Sequence, residues 1–181
     1  MDSGNDADWV RRTLDGDGRA FEMLVATYER VVYTAAYRMV GNEEDAKDLA
    51  QTVFLKAFRN LESFDPRHRF FSWIYRITLN ESLNLLRQRR PRVAVDESLV
   101  ATGPGPEDEV HGGQVRDVLQ AALLEIPEDY RQAVVLRHLL HKSHHEMSEL
   151  LGIPDKTVKS RLFTARQLLA KALRRRGVRS S

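Results

Sequence analysis

Residues 143–169 read SHHEMSELLGIPDKTVKSRLFTARQLL and carry the signals of two helices joined by a tight turn. Ser143, followed three residues later by Glu146, matches a capping box, which marks the start of a helix. Gly152 suits the left-handed turn that follows a helix, and Pro154 suits the first position of the next helix. A short helix, a glycine turn and a basic second helix together predict a helix–turn–helix.

The second helix of this motif has an apolar face and a polar face. Four apolar residues recur at helical spacing and are predicted to face a core: Val158, Leu162, Ala165 and Leu169. Other side chains could donate to base edges or phosphates, or touch a thymine methyl group: Lys156, Lys159, Ser160, Phe163 and Thr164. Arg161 and Arg166 are better placed to hold phosphates, which fix position but not sequence. The pattern predicts duplex DNA binding; the alternative is a helical hairpin with a basic, solvated surface.

A second informative stretch, residues 70–92, reads FFSWIYRITLNESLNLLRQRRPR. One face of the predicted helix carries a polar stripe, spaced at three or four residues: Trp73, Arg76, Asn80, Asn84 and Arg87. Single-stranded DNA stacks its bases on aromatic rings and lays its backbone along cations, while an asparagine can read the edge of an unstacked base. We therefore interpret the polar stripe as a single-strand surface. The alternative makes Trp73 a core residue beside Phe70, Ile74 and Ile77, with the amides simply exposed.

The composition narrows the class of protein. The 181 residues are 42% apolar, which is enough to build a core, and they contain no run of eighteen apolar residues that would predict a membrane span. The acidic N-terminus, MDSGNDADW, is unlike a signal peptide. The absence of cysteine excludes disulfides and thiolate metal sites and fits a reducing compartment. A cytoplasmic location is expected.

The charge is distributed unevenly although the net charge is only +2. From Asp96 to Asp129 there are nine acidic residues and one basic residue, whereas from Lys156 to the end there are nine basic residues and no acidic one. A second basic cluster consists of Arg87, Arg89, Arg90 and Arg92. Basic blocks of this density indicate a polyanionic partner, and the alternative is a solvated tail.

The chain is predicted to be all-α, with two small helical domains. Residues 1–92 form the first domain, residues 93–112 an acidic linker rich in Gly and Pro, residues 113–176 the second domain, and residues 177–181 a tail. The periodicity predicts helices near 6–15, 19–40, 43–61 and from about residue 69 onward, then near 113–125, 128–140, 143–151 and 154–175. Asn42 is predicted to cap the third helix. No segment alternates as a strand would.

No catalytic or cofactor motif is present. The sequence contains no phosphate loop, nucleophile elbow or paired-carboxylate arrangement, so neither an enzyme nor a cofactor is predicted. Four histidines lie close together, namely His138, His141, His144 and His145, and a metal site there is conceivable. No cysteine or carboxylate accompanies them at a metal-binding spacing. We favour surface or DNA-backbone histidines, with no metal.

These stretches resemble the sigma-70 family of bacterial transcription initiation factors, and specifically its extracytoplasmic-function (ECF, group IV) members. Residues 45–66, DAKDLAQTVFLKAFRNLESFDP, resemble the core-polymerase-binding helix of sigma region 2, and residues 70–90 its promoter-melting part. Residues 123–140, LLEIPEDYRQAVVLRHLL, and residues 143–169 resemble sigma region 4. The order of the segments and the acidic linker between them fit the two-domain members of the family.

The resemblance implies partners and roles for individual residues. Four residues would dock on the polymerase clamp: Asp45, Asp48, Gln51 and Phe54. The polar stripe would lie against the melted −10 element, where a base is flipped from the non-template strand. The −35 element would be read as duplex by Lys159, Ser160, Phe163 and Thr164, and the acidic linker would thread toward the RNA exit path. An anti-sigma factor is the regulator that the family implies.

Two other functions fit parts of the sequence. A stand-alone helix–turn–helix regulator would bind palindromic duplex without polymerase, with the N-terminal helices as a sensor. A helical anti-regulator would bind protein only, and the basic C-terminus argues against it. The sigma-factor interpretation instead predicts weak duplex binding by the chain alone, because both modules are small and the polymerase must space them.

Overall fold

The computed structural model describes residues 5–89 and 111–178, and its regular elements are all helical. The N-terminal half contains α1 (Asp6–Leu14), α2 (Gly18–Val40), α3 (Glu43–Arg59), a 3₁₀ turn (Leu61–Ser63) and α4 (Phe70–Arg89). The C-terminal half contains α5 (His111–Leu124), α6 (Glu128–Val134), a π-helical turn (Val135–Leu139), α7 (His144–Leu151) and α8 (Asp155–Arg175). The all-α prediction is confirmed.

Local capping chemistry explains where the helices of the N-terminal half begin and end. The Asp17 side chain accepts a hydrogen bond from the Arg19 amide at the start of α2, and the Asn42 side chain accepts one from the Asp45 amide at the start of α3. Between these two helices Gly41 has a φ of 77°, the left-handed conformation that ends a helix. α2, α3 and α4 pack together around a core that includes Leu24, Val53 and Ile74.

The C-terminal half is organised around the long helix α8. α6 packs against it, and α5 and α7 also contact it. Residues 128–140 were predicted as one regular helix, but the structure widens this helix into a π-helical turn from Val135. The turn ends at Leu140, whose amide bonds to the Val135 carbonyl over 3.2 Å, and His141 follows with a φ of 51°. Such single wide turns shift the register of the residues after them.

The two halves share a hydrophobic core. α2 contacts α5 and α6, and α4 contacts α7. One continuous cluster of buried residues joins Met39 and Leu79 of the N-terminal half to Leu136, Met147 and Leu162 of the C-terminal half. The two predicted domains therefore lie against each other. The predicted linker, residues 93–112, falls almost wholly outside the described residues, as does most of the predicted tail.

Candidate nucleic-acid interface

The helix–turn–helix has the predicted local geometry. The Ser143 hydroxyl accepts a hydrogen bond from the Glu146 amide, and the Glu146 carboxylate accepts one from the Ser143 amide, which completes the capping box. Gly152 has a φ of 64° and ends α7 in the left-handed conformation. Pro154 occupies the N-cap of α8 and not its first helical position, one residue earlier than predicted. The Ser148 hydroxyl closes the turn by donating to the Ile153 carbonyl over 2.5 Å.

The apolar face of α8 is buried as predicted. Val158, Leu162 and Ala165 are at most 2% exposed, and Leu169 is half-buried. The rotation of α8 about its axis follows from this burial, because the opposite face must then point outward.

The outward side of α8 presents a recognition face, defined by Lys156, Lys159, Ser160, Phe163 and Thr164. Thr164 is half-buried and the other four are exposed; Phe163 is 65% exposed, although an aromatic ring of this size is usually covered. Arg166 is exposed beside this face. Arg161 is half-buried, and its guanidinium lies 3.1 Å from the Asp129 carboxylate of α6. Of the two arginines predicted to hold phosphates, only Arg166 is without an acidic partner among the contacts of the described residues.

The polar stripe lies along α4 with unequal exposure. Asn80, Asn84 and Arg87 are exposed. Arg76 is exposed too, and its guanidinium donates to the Glu149 carbonyl of α7 over 2.8 Å. Trp73 is half-buried, with its ring centroid 5.6 Å from those of Phe64 and Phe70. The core interpretation of Trp73 is supported in part, because its ring packs on Phe64 and Phe70; the same residue also lines an open groove.

The same groove contains basic residues that the sequence analysis did not single out. Arg67, His68 and Arg69, from the loop before α4, line it together with Trp73 and Arg76. Arg67 is held by Asp65, whose pKa this hydrogen-bonded guanidinium lowers to about 2. The sequence does contain a hint of this surface, because Arg67 and Arg69 shortly precede the polar stripe. Glu146 and Glu149 of α7 also line this groove.

The residues predicted to bind polymerase lie on α3. Asp48 and Gln51 are exposed, whereas Phe54 is only 8% exposed. Asp45 is half-buried and forms a two-pronged ion pair with Arg89 at the end of α4. Gln51 and Phe54 line an open, largely apolar groove of about 730 Å³ between α2 and α3.

Two further residues of this α3 groove were not predicted as part of a site. Leu55 is 57% exposed and Phe58 is 52% exposed, with the Phe58 ring 5.0 Å from that of Phe21. Phe58 continues the apolar spacing of α3, so periodicity alone cannot distinguish it from the core residues Val53 and Ala57.

The histidines do not converge on a common point. Within residues 5–89 and 111–178 no three His, Cys, Asp or Glu side chains are close enough together to hold a metal ion. His145 pairs with Glu149 at 3.6 Å on the surface of α7. The pKa of His138 is lowered by partial burial and by the neighbouring positive charges of Arg166 and Arg137. Among the described helices, none is long and apolar enough to cross a membrane.

Comparison with known proteins gives the family. Residues 24–92 match sigma-70 region 2, and residues 116–169 match sigma-70 region 4. The ECF RNA polymerase sigma factor SigW of Bacillus subtilis is 34% identical over 177 residues, which cover 91% of this chain and 95% of that protein. The chain belongs to the ECF sigma factors. It is therefore an alternative sigma factor and not a stand-alone regulator.

Other relatives of this sigma factor support the same family. The ECF sigma-E factor of Escherichia coli (strain K12) is 32% identical over 172 residues, covering 88% of this chain and 90% of that protein. Among solved structures, CnrH in complex with the cytosolic domain of CnrY is similar with a TM-score of 0.72 and 27% identity, over 93% of this chain and 97% of that one. The sigma factor RpoE of Bartonella quintana, solved with the anti-sigma factor NepR, is 22% identical with a TM-score of 0.67 over 85% of this chain and 96% of that one, and shows the same fold.

Proposed function

We propose that this ECF sigma factor binds core RNA polymerase and directs it to promoters by using two DNA surfaces of different kinds. The recognition face of α8 reads the −35 element as duplex, and the polar stripe of α4 holds the −10 element as a separated strand. The observation that carries the proposal is the outward orientation of Lys159, Ser160 and Phe163 on the second helix of a complete helix–turn–helix. The polymerase supplies catalysis, and this chain supplies specificity and strand separation.

The chemistry of the recognition face suits a major groove. An α-helix fits into that groove, and lysine and serine side chains can donate to the acceptors of guanine or to phosphates. The exposed ring of Phe163 offers apolar contact with a thymine methyl group. Arg166, exposed beside the face, is positioned to hold a backbone phosphate, and Lys156 stands at the N-terminal end of the helix.

The polar stripe suits an unpaired strand. Asn80 and Asn84 are exposed amides that can both donate to and accept from the edge of one base. Trp73, Arg76 and the basic loop before α4 line one groove, which combines an aromatic surface with positive charge. This combination is the one that single-stranded nucleic acid requires. Arg87 extends the positive charge toward the end of α4.

The docking surface for polymerase is α3 with its adjoining groove. Asp48 and Gln51 supply exposed polar groups, and the groove bounded by Phe54, Leu55 and Phe58 supplies apolar area. An apolar centre with a polar rim is the usual anatomy of a protein interface. Asp45 is paired with Arg89, so we assign it to orienting α4 against α3 as well as to the rim. The complexes of the similar sigma factors support an anti-sigma factor as a further partner.

The first experiment is co-elution of the purified chain with bacterial core polymerase, followed by transcription of genomic fragments by the mixture. A stable complex that starts RNA at defined sites is the expected result. Tight binding of the free chain to palindromic duplex, with no polymerase complex, would contradict the proposal.

The division of labour between the two DNA surfaces is tested by two single substitutions. Lys159→Ala is expected to weaken −35-dependent closed-complex binding by about 1–3 kcal/mol, the usual cost of a lost base contact. Asn80→Ala is expected to leave closed-complex binding nearly unchanged and to slow promoter opening, measured by permanganate reactivity of unpaired thymines. Equal losses of closed-complex binding in the two variants would exclude this division.

A further inference from the structure

We propose that a cavity lined by the start of α1, the loop before α4 and the segment after the π-helical turn binds a small zwitterion, a molecule with an ammonium group and a carboxylate. The ammonium group binds Asp6, and the carboxylate binds Arg69 and His141. The inference goes beyond the proposed function, because this site requires neither polymerase nor DNA.

Asp6, in the first turn of α1, is a buried carboxylate with an incomplete set of partners. The residue is 4% exposed, and its Oδ2 atom accepts a hydrogen bond from the Tyr28 hydroxyl over 2.5 Å. The Oδ1 atom is buried too and has no hydrogen-bond partner among the residues that the structure describes. A buried polar oxygen normally has a partner, since leaving it unpaired costs free energy. The Oδ1 atom can therefore accept a hydrogen bond from a ligand.

Tyr28 of α2 leaves the second oxygen of Asp6 available. Burial raises the pKa of the Tyr28 hydroxyl, and the hydrogen bond to Asp6 raises this pKa further. The hydroxyl therefore keeps its proton at neutral pH and donates it to Oδ2. A tyrosine hydroxyl has a single proton to donate, so it cannot also serve Oδ1.

Asp6 and Tyr28 line a cavity of about 280 Å³, together with Arg69, His141 and Lys142. Sites for drug-sized ligands usually measure about 300–1,000 Å³, so this cavity suits a smaller molecule. Arg69 and His141 are exposed, whereas Asp6 and Tyr28 are buried. The cavity is therefore acidic at its buried end and basic where it meets the solvent.

The basic groups of the cavity differ in how far they are already paired. The Lys142 ammonium lies 3.0 Å from the Glu146 carboxylate and 4.5 Å from the centre of the Phe71 ring, so existing contacts hold it. Arg69 and His141 have no acidic partner among the contacts of residues 5–89 and 111–178. A guanidinium can hold a carboxylate through two parallel hydrogen bonds, and a neutral imidazole adds one N–H donor. These two side chains are thus available to an anionic group.

This distribution of charge favours a zwitterion over other small ligands. Asp6 would repel a simple anion, and Arg69 and Lys142 would repel a simple amine. A metal ion would lack ligands, because no three His, Cys, Asp or Glu side chains lie close enough together in the described part of the chain. A molecule with both charges satisfies both ends of the cavity, and free amino acids belong to this chemical class.

Calorimetric titration of the full chain, without polymerase or DNA, tests the proposal directly. The probes are glycine, 4-aminobutyrate and L-lysine, which can place an ammonium group at increasing distances from the carboxylate. Butylamine and butyrate carry one charge each and serve as ligand controls. We expect at least one zwitterion to bind with 1:1 stoichiometry, about ten-fold or more tightly than either control, because each charged end adds a charge-assisted hydrogen bond.

Two variants assign the binding to this cavity. Asp6→Asn keeps an acceptor for Tyr28 but removes the charge, and it is expected to weaken zwitterion binding about ten-fold. His141→Ala changes an exposed side chain, which leaves the fold intact, and is expected to weaken binding several-fold. The matched control is Glu22→Gln, which neutralises an exposed carboxylate of α2 and is expected to bind as the wild type does.

Three results would overturn the proposal. The first is that no zwitterion binds at millimolar concentration, as expected if water alone satisfies Asp6. The second is equal binding of the zwitterions and the singly charged controls. The third is unchanged zwitterion affinity in both Asp6→Asn and His141→Ala. Each of these results leaves the proposed function intact, and a failure to bind polymerase would likewise leave the zwitterion titrations unaffected.

Discussion

The Glu146 side chain stabilises the start of α7 through its hydrogen bonds and its charge. Its carboxylate accepts hydrogen bonds from the Ser143 amide over 2.9 Å and from the Lys142 ammonium over 3.0 Å. The Ser143 amide is the largest influence, and together these groups lower the pKa of Glu146 from 4.5 to about 2. The ionised carboxylate therefore stabilises the folded chain above pH 4.5, and this contribution is lost as the pH falls toward 2.

Replacing Glu146 with Gln should remove this pH dependence. Glutamine keeps the hydrogen bond to the Ser143 amide but loses the charge that pairs with Lys142. We expect the variant to be less stable than the wild type at pH 7 and the difference to shrink at pH 3.5, as measured by urea unfolding. Glu149→Gln is the control, because the Glu149 carboxylate contacts only the exposed ring of His145 among the described ion pairs. Equal acid sensitivity of wild type and Glu146→Gln would contradict the assignment.

At the scale of the element, two helices end in the same way but in different surroundings. Gly41 and Gly152 both have positive φ, at 77° and 64°, after α2 and α7. A Cβ atom at Gly41 would overlap the side chain of Leu124, whereas a Cβ atom at Gly152 would have no neighbour within 4 Å. The first glycine therefore serves both the backbone turn and the close approach of α5.

Substituting alanine for each of these glycines should distinguish the free-energy cost of backbone strain from the cost of displacing a packed side chain. Gly152→Ala is expected to cost about 1 kcal/mol of unfolding free energy, because only the left-handed backbone is strained. Gly41→Ala is expected to cost more, since the Leu124 side chain must also move. Urea titrations followed by far-ultraviolet circular dichroism give both values. If Gly41→Ala loses no more unfolding free energy than Gly152→Ala, the Leu124 side chain can move aside at no cost.

At the scale of the whole molecule, the shared core should make the chain unfold as one unit. Leu79 of α4 is 3% exposed and belongs to the cluster that spans both halves. Leu79→Ala is expected to destabilise the chain by about 2–5 kcal/mol, the usual range for a buried leucine. Because the core is common, calorimetry should show a single transition, shifted as a whole. Two separate transitions, with only one of them moved, would exclude a common cooperative unit.

The α3 groove offers the matched control for this experiment. Leu55 is 57% exposed, so Leu55→Ala should change the unfolding free energy by less than about 0.5 kcal/mol. The same variant is expected to bind core polymerase several-fold more weakly, measured by fluorescence anisotropy of a labelled chain. Unchanged polymerase affinity would remove Leu55 from the proposed docking surface.

Local sequence patterns were enough to predict most helices, several of their caps and the family. Helical periodicity and capping depend on residues within about four positions of each other, so α2, α3, α7 and α8 could be predicted with ends within a few residues of those observed. The burial of Val158 and Leu162 implied which face of α8 points outward, and so the exposure of Lys159 could be predicted as well. The π-helical turn at Val135 could not be predicted, because no local sequence pattern indicates it.

The pairing of distant polar groups could not be predicted from the sequence, because it depends on how the helices pack. The hydrogen bond from Arg131 to the Met39 carbonyl joins residues 92 positions apart, and that from Arg76 to the Glu149 carbonyl joins residues 73 positions apart. Arg161 forms an ion pair with Asp129, and the Trp73 ring packs against Phe64 and Phe70. A periodic pattern places a side chain on a face of its own helix. The partner of that side chain depends on how the helices pack, which is set by complementary shapes and by the requirement that buried polar groups be bonded.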